Sequence, residues 1–302
     1  MKYFNLKILF SVILLSAVSP AFAKLRVVAT TPDLADVTRR IGGEFVDVES
    51  LAKGTEDIHA VPQRPSFIPK LNRADAVVLL GFDAEHAFLP ALLDVAQNPK
   101  VMRGRTGYIE CSENVSPLEV PTVLSRAEGE QHPLGNPHYN IDPRNGKIIA
   151  KEIADKLSVL DPSHAAVYEK NRQVFDRELE LKIEEWRKLA ASLKGTGAVS
   201  YHPSMAYLAD FLGLKMEGTV ELKAGIAPTP KHLEGLVSLM KKDNVKLILR
   251  EVQYSQETAD WLAQETGAKV ATVATMGGAF PDSGTYFGMI DHNIHSILEA
   301  LR

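Results

Sequence analysis

Cysteine is almost absent from this chain. The single thiol, Cys111, excludes an intramolecular disulfide and any multi-cysteine zinc knuckle, so stability must come from core packing. It follows the strand-like run Gly107-Tyr-Ile-Glu and reads as a small buried hydrophobe. A basic excess is also missing. The 34 Lys and Arg face 38 Asp and Glu, giving a formal net charge of −4 without a Lys/Arg cluster, which argues against a nucleic-acid partner. Beyond the N-terminus no stretch is apolar enough to span a bilayer, which takes about 20 residues. Glycine and proline are missing from 163 to 193, so nothing in that long segment punctuates a helix.

What is present begins at the N-terminus. Lys2 and Lys7 precede an apolar run from Ile8 to Val18, and Pro20-Ala21-Phe22-Ala23 follows. These are the three regions of a secretory signal peptide over residues 1–23, with small residues where a signal peptidase reads. No cysteine follows the cleavage point, so no lipid anchor is expected. The mature chain is expected to start at Lys24 and to be free in the periplasm.

From there short strands and helices alternate. Leu25–Thr30, Val46–Leu51 and Ala76–Leu80 read as strands, and Pro32–Ile41 and Lys147–Leu160 as helices. A second round follows. Its strands are Ala198–Tyr201, Val245–Arg250 and Lys269–Val273, and its helices Ser204–Leu212, His232–Lys242, Gln256–Thr266 and Tyr286–Leu301. Such alternation predicts parallel sheets covered by helices. The rounds open alike, Val27-Val-Ala-Thr-Thr-Pro32 against Ala198-Val-Ser-Tyr-His-Pro203, which predicts two lobes of one design. Between them Phe175, Leu179, Ile183, Trp186, Ala190 and Leu193 recur every three or four residues, the stripe of one long helix. The expected fold class is α/β: two α/β lobes with parallel sheets, bridged by one long rigid helix. The lobes are assigned to 24–162 and 195–302 and the spine to 163–194.

Three of the nine histidines stand where strands end or helices begin. His59 lies in a loop after a strand, His138 in the turn-rich Gly135-Asn-Pro-His-Tyr-Asn, and His202 directly after a strand. Ligands of open α/β sheets bind beyond the carboxyl ends of strands, and neutral imidazole is a common zinc ligand. No short H-x-x-x-H spacing ties the three together. The remaining six have ordinary surface explanations, although His86 is placed to line a cleft and His132 stands near His138. Glu251 ends a strand and reads as a carboxylate bonded to loop amides.

In order along the chain, the His59 loop, Asn136-Pro137-His138 leading into Asp142-Pro143, the long spine, Tyr201-His202-Pro203, Ala227-Pro-Thr-Pro-Lys231 and Leu247-Ile-Leu-Arg-Glu251-Val-Gln253 resemble the cluster A-I solute-binding proteins of zinc and manganese ABC transporters. The resemblance covers residues 24–302. It implies metal capture between two lobes and delivery to an ABC permease, not catalysis. It carries three ligand positions onto His59, His138 and His202. Imidazole at the third position favours Zn2+ as the transported ion over Mn2+, which prefers oxygen. The family's fourth ligand is an Asp after the last strand. Here Asp282 is the only acid in that loop and is the expected ligand, reached through the turn at Gly277-Gly278, with Glu251 or water as alternatives. The Gly-rich 274–285 loop is the expected mobile part, and Asp57 or Asp142 would orient the ligand rings. A periplasmic metallochaperone is a further partner, and the protein is expected to be a monomer. The competing reading is a zinc-dependent hydrolase, built on three histidines and an open position.

Overall fold

The computed structural model describes residues 23–125, 127 and 129–302. All but the last residue of the signal-peptide segment therefore lies outside the described residues.

The chain opens with β1 (Leu25–Ala29), buried toward its end, and Thr30-Thr31-Pro32 turns it into α1 (Pro32–Gly42). Thr31 caps that helix by accepting the Leu34 N–H, and Pro32 sits at the first position, where a missing N–H costs nothing. There follow β2 (Val46–Ser50), α2 (Ile68–Arg73), β3 (Ala76–Leu79), α3 (Leu89–Ala96), β4 (Tyr108–Glu110) and α4 (Gly146–Leu160). The four strands form a parallel sheet in the order β2-β1-β3-β4.

A 25-residue helix, α5 (Ala165–Leu189), comes next, about 38 Å long at helical rise. Short 3-10 turns at Pro162–His164 and Ala190–Leu193 extend it at both ends, so the predicted spine segment is helical almost throughout. Its stripe is buried as the spacing requires. Phe175, Leu179, Ile183, Trp186, Ala190 and Leu193 are all inside, and Trp186 donates its indole N–H to Asp291 at 2.7 Å.

The second round is β5 (Gly197–Ser200), α6 (Ala206–Leu212), β6 (Lys215–Thr219), α7 (Pro230–Lys242), β7 (Leu247–Glu251), α8 (Gln256–Thr266), β8 (Lys269–Val273) and α9 (Tyr286–Ala300). Its sheet is again four-stranded and parallel, in the order β6-β5-β7-β8. Both sheets therefore reverse strand order beside their first strand, and the crevice beyond the carboxyl ends there is the usual ligand position.

One apolar core runs through both lobes and the spine, and a smaller one fills the far face of the second sheet under α7 and α8. The seam between the lobes is polar. Buried Asn140 donates to Asp33 at 3.0 Å and to the Thr275 carbonyl at 2.9 Å, and Gly277 N–H donates to Asp33 at 3.2 Å. Tyr286 N–H donates to Asp36 at 2.9 Å. The 274–285 loop, expected to be the mobile part, is thus bonded to the first lobe at two points, Thr275 to Asn140 and Gly277 to Asp33 of α1.

Candidate metal centre

His59 lies in a 3-10 turn, Ile58–Ala60, nucleated by Asp57, whose carboxylate accepts the His59 backbone N–H at 2.9 Å. His138 is set by an Asn136 turn, in which the Asn136 side chain accepts the His138 N–H at 3.0 Å. The Asn136 amide also donates to the Pro203 carbonyl at 2.7 Å, tying the His138 loop to the His202 loop of the other lobe. His202 follows β5 by two residues, and its N–H points at Glu251, the last residue of β7.

The three rings converge. All are buried, at 7 %, 5 % and 4 % exposure for His59, His138 and His202. One ligand nitrogen from each lies within 4.8 Å of the others. The Nε2 atoms of His59 and His138 are 3.1 Å apart. Two nitrogens on a tetrahedral zinc, each about 2.0–2.1 Å from the metal, lie about 3.3 Å apart, so this spacing already approximates one edge of the polyhedron.

The other ring nitrogens of His59 and His202 are engaged as metal-ready tautomers require. His59 Nδ1 is 3.2 Å from the Ala84 carbonyl, which can accept only from Nδ1–H and so leaves the lone pair on Nε2. His202 Nδ1 donates to Glu221 at 2.8 Å, freeing its Nε2. Burial holds His59 well below the usual imidazole range, helped by His132, His202 and His86. Burial does the same for His138, helped by His59, His202 and His132. Both rings therefore favour the neutral form, the form in which an imidazole can take a metal. Burial also opposes the charged form of His202, but the Glu221 hydrogen bond and the Glu251 and Glu221 charges outweigh it and raise that ring above the usual value.

Glu251 behaves as its strand-end position suggested. It is fully buried, accepts from the Ser204 hydroxyl and the His202 N–H, and burial pushes its carboxyl up to about 7. Asp282 is not brought to the triad. It is solvent-exposed and ion-paired with His292 at 2.9 Å, because the loop's left-handed turn at Gly278 closes on Ser283 and leaves residue 282 facing out. The carboxylate that hydrogen-bonds one of the three rings is Glu221, not Asp57 or Asp142. Asp57 bonds the His59 backbone and the Tyr254 hydroxyl, and Asp142 caps the next turn and pairs with Arg144. Tyr254 in turn stacks on Tyr201 and His202.

The fold and the site together define a binding protein: two matched lobes on a long helix, with three buried imidazoles grouped between them that could hold a metal ion. Residues 27–300 match the family described as ZnuA, zinc-uptake complex component A periplasmic, and the chain belongs to that family of extracytoplasmic metal-binding solute-binding proteins of ABC importers. It is 27% identical over 282 residues to a putative metal-binding protein of Treponema pallidum, covering 92% of this chain and 87% of that one. It is 25% identical over 288 residues to the manganese ABC transporter substrate-binding lipoprotein PsaA of Streptococcus pneumoniae, covering 92% and 89%. A crystal structure of a ZnuA deletion mutant with zinc bound superposes with a TM-score of 0.76 at 25% identity, covering 92% of this chain and 98% of that one. The family is one of solute carriers and not of enzymes, which removes the hydrolase reading.

Proposed function

We propose that this protein captures zinc in the periplasm through His59, His138 and His202 and hands it to the permease of an ABC importer. The observation that carries this reading is the donor set. Three buried imidazoles converge, two of them 3.1 Å apart at Nε2, and among the described residues no carboxylate oxygen belongs to the group. An all-nitrogen set suits zinc, whereas manganese prefers oxygen. Asp282 is left out because of its exposed pair with His292. Water fills the fourth position from the cavity of about 300 Å³ that His138 and His202 line. The lobes of this reading are 24–162 and 195–302 about the spine at 163–194. Export by a cleaved leader over residues 1–23, release without a lipid anchor, a monomeric state and loading by a metallochaperone belong to the same reading.

The test is a zinc titration against a chromophoric chelator with the single variants His59→Ala, His138→Ala and His202→Ala. One tight zinc per chain, weakened in each variant by two orders of magnitude or more, is the expected result. A variant that holds zinc as tightly as the wild type removes its histidine from the site.

A further inference from the structure

The three ligand rings come from two lobes and must be held together across the cleft. His202 belongs to the second lobe, and its ring centroid lies 5.6 Å from that of His59 and 5.5 Å from that of His138. The His138 and His202 loops are braced through the backbone, where the Asn136 amide holds the Pro203 carbonyl. The His59 turn and His202 are braced by side chains, and Tyr254 is at the centre of that brace.

Tyr254 stands in the turn between β7 and α8. Arg250, buried in β7, donates to the Tyr254 carbonyl at 2.8 Å and to the Val252 carbonyl at 3.3 Å, and Tyr254 N–H returns to the Glu251 carbonyl at 3.0 Å. This turn fixes where the ring lies. It is parallel to Tyr201, with centroids 4.8 Å apart and planes 4° apart, and it lies 5.8 Å from the His202 ring at 19°. Such stacking needs only an aromatic ring, which phenylalanine would supply. The hydroxyl does something else. It reaches the first lobe and donates to Asp57 Oδ2 at 3.2 Å. Burial, with the charges of Asp57, Glu221 and Glu251, holds the phenol far above its ordinary range, so the donor proton stays in place. The other oxygen of Asp57 accepts the His59 N–H at 2.9 Å. One carboxylate thus joins the His59 turn to a ring that lies against His202.

We propose that Tyr254 is a positioning residue for metal capture: its hydroxyl, acting through Asp57, latches the His59 turn to the His202 side of the cleft and sets how fast a bound ion leaves. The inference rests on the capture reading above and deepens it. An ion held by three rings leaves when one of them swings off it. His59 sits on a single 3-10 turn, a short support with poor hydrogen-bond geometry of its own, and Asp57 is the side chain that caps it. Holding that cap from the opposite lobe keeps His59 in line with His202 before the ion arrives and while it is bound. Pre-organisation of this kind slows departure more than it speeds arrival.

The test is stopped-flow release of zinc from the full chain to excess chelator, beside the rate of capture and thermal unfolding. Tyr254→Phe keeps the stack and removes the hydroxyl. It is expected to release zinc about tenfold faster, the lower end of what an orienting partner behind a metal ligand contributes, with capture within about twofold of wild type and an unchanged unfolding midpoint. Asp57→Asn, which keeps the size of the side chain, is expected to release zinc faster as well. The double variant should be no faster than the faster of the two single ones, because both changes open the same latch. Release from Tyr254→Phe at the wild-type rate overturns the proposal. So do effects that multiply in the double variant, and so does a lowered unfolding midpoint with unchanged release, which would assign the hydroxyl to the fold and not to the site. The wild type reports separately on the triad. If it holds no tight zinc the capture reading falls, whereas tight zinc with equal release from wild type and Tyr254→Phe removes the latch alone.

Discussion

Glu221 shows what one side chain contributes. It touches no part of the space between the three rings, yet one oxygen accepts both His202 Nδ1–H and the Gly225 N–H. A carboxylate behind a ligand imidazole fixes its tautomer and raises its basicity, and losing it costs about 10–100-fold in metal affinity. Glu221→Gln is therefore expected to weaken zinc binding at the lower end of that range with thermal unfolding little changed, as read by chelator competition and calorimetry. Glu85 makes a different prediction. It is buried beneath the Thr30 hydroxyl and the Leu80 and Gly81 N–H groups, and burial outweighs those bonds and pushes its carboxyl up to about 7. The fold thus prefers the protonated form. Its stabilising contribution is complete below the ordinary value of 4.5, falls as pH rises to about 7 and is flat above that. The span is about 3 kcal/mol at most. Urea unfolding of wild type against Glu85→Gln should diverge across that window, and parallel curves would refute the assignment. At this scale the three histidines were legible because each stands at a strand end or helix start. Asp282 misled because a Gly-Gly turn states that the chain can bend and not where the next residue points. Glu221 went unseen although the internal repeat held a cue. It follows β6 in the second round as the His59 loop follows β2 in the first.

Among the elements, the spine carries the most weight. Leu179 is fully buried on α5, and so close to α4 that a Cβ on Gly146 would lie 2.8 Å from its Cδ2. Leu179→Ala should leave a cavity that a stiff helix cannot collapse into, at a cost of about 2–5 kcal/mol, seen as a lower urea midpoint with little change in slope. The spine was legible because a stripe of six apolar residues without Gly or Pro has one helical solution. β6 was not legible. Lys-Met-Glu-Gly-Thr has no apolar run, and it is a strand because β5 offers it a sheet edge. The short helices α2 and α3 were missed for a related reason. Each has a proline in its first turn, which reads locally as punctuation.

Across the whole molecule, the lobes are locked more than hinged. Asn140 bridges Asp33 and the Thr275 carbonyl, Asp36 holds the start of α9, and Trp186 on the spine bonds Asp291 on α9. At Gly54 a Cβ would stand 2.3–2.4 Å from backbone atoms of residues 277–279, so the two lobes meet there at backbone contact. The repeat of strand order was foreseeable from Val27–Pro32 and Ala198–Pro203. The seam was not, because its polar partners lie more than a hundred residues apart in sequence. A frame this rigid presents the three nitrogens already assembled, so selectivity should follow their chemistry more than any closure of the lobes. The most direct measurement is equilibrium competition between Zn2+ and Mn2+ for the purified protein, read as bound metal after dialysis against equal concentrations of both. Zinc bound in large excess, at one per chain, is the predicted result. Manganese retained at or above the level of zinc would contradict the account.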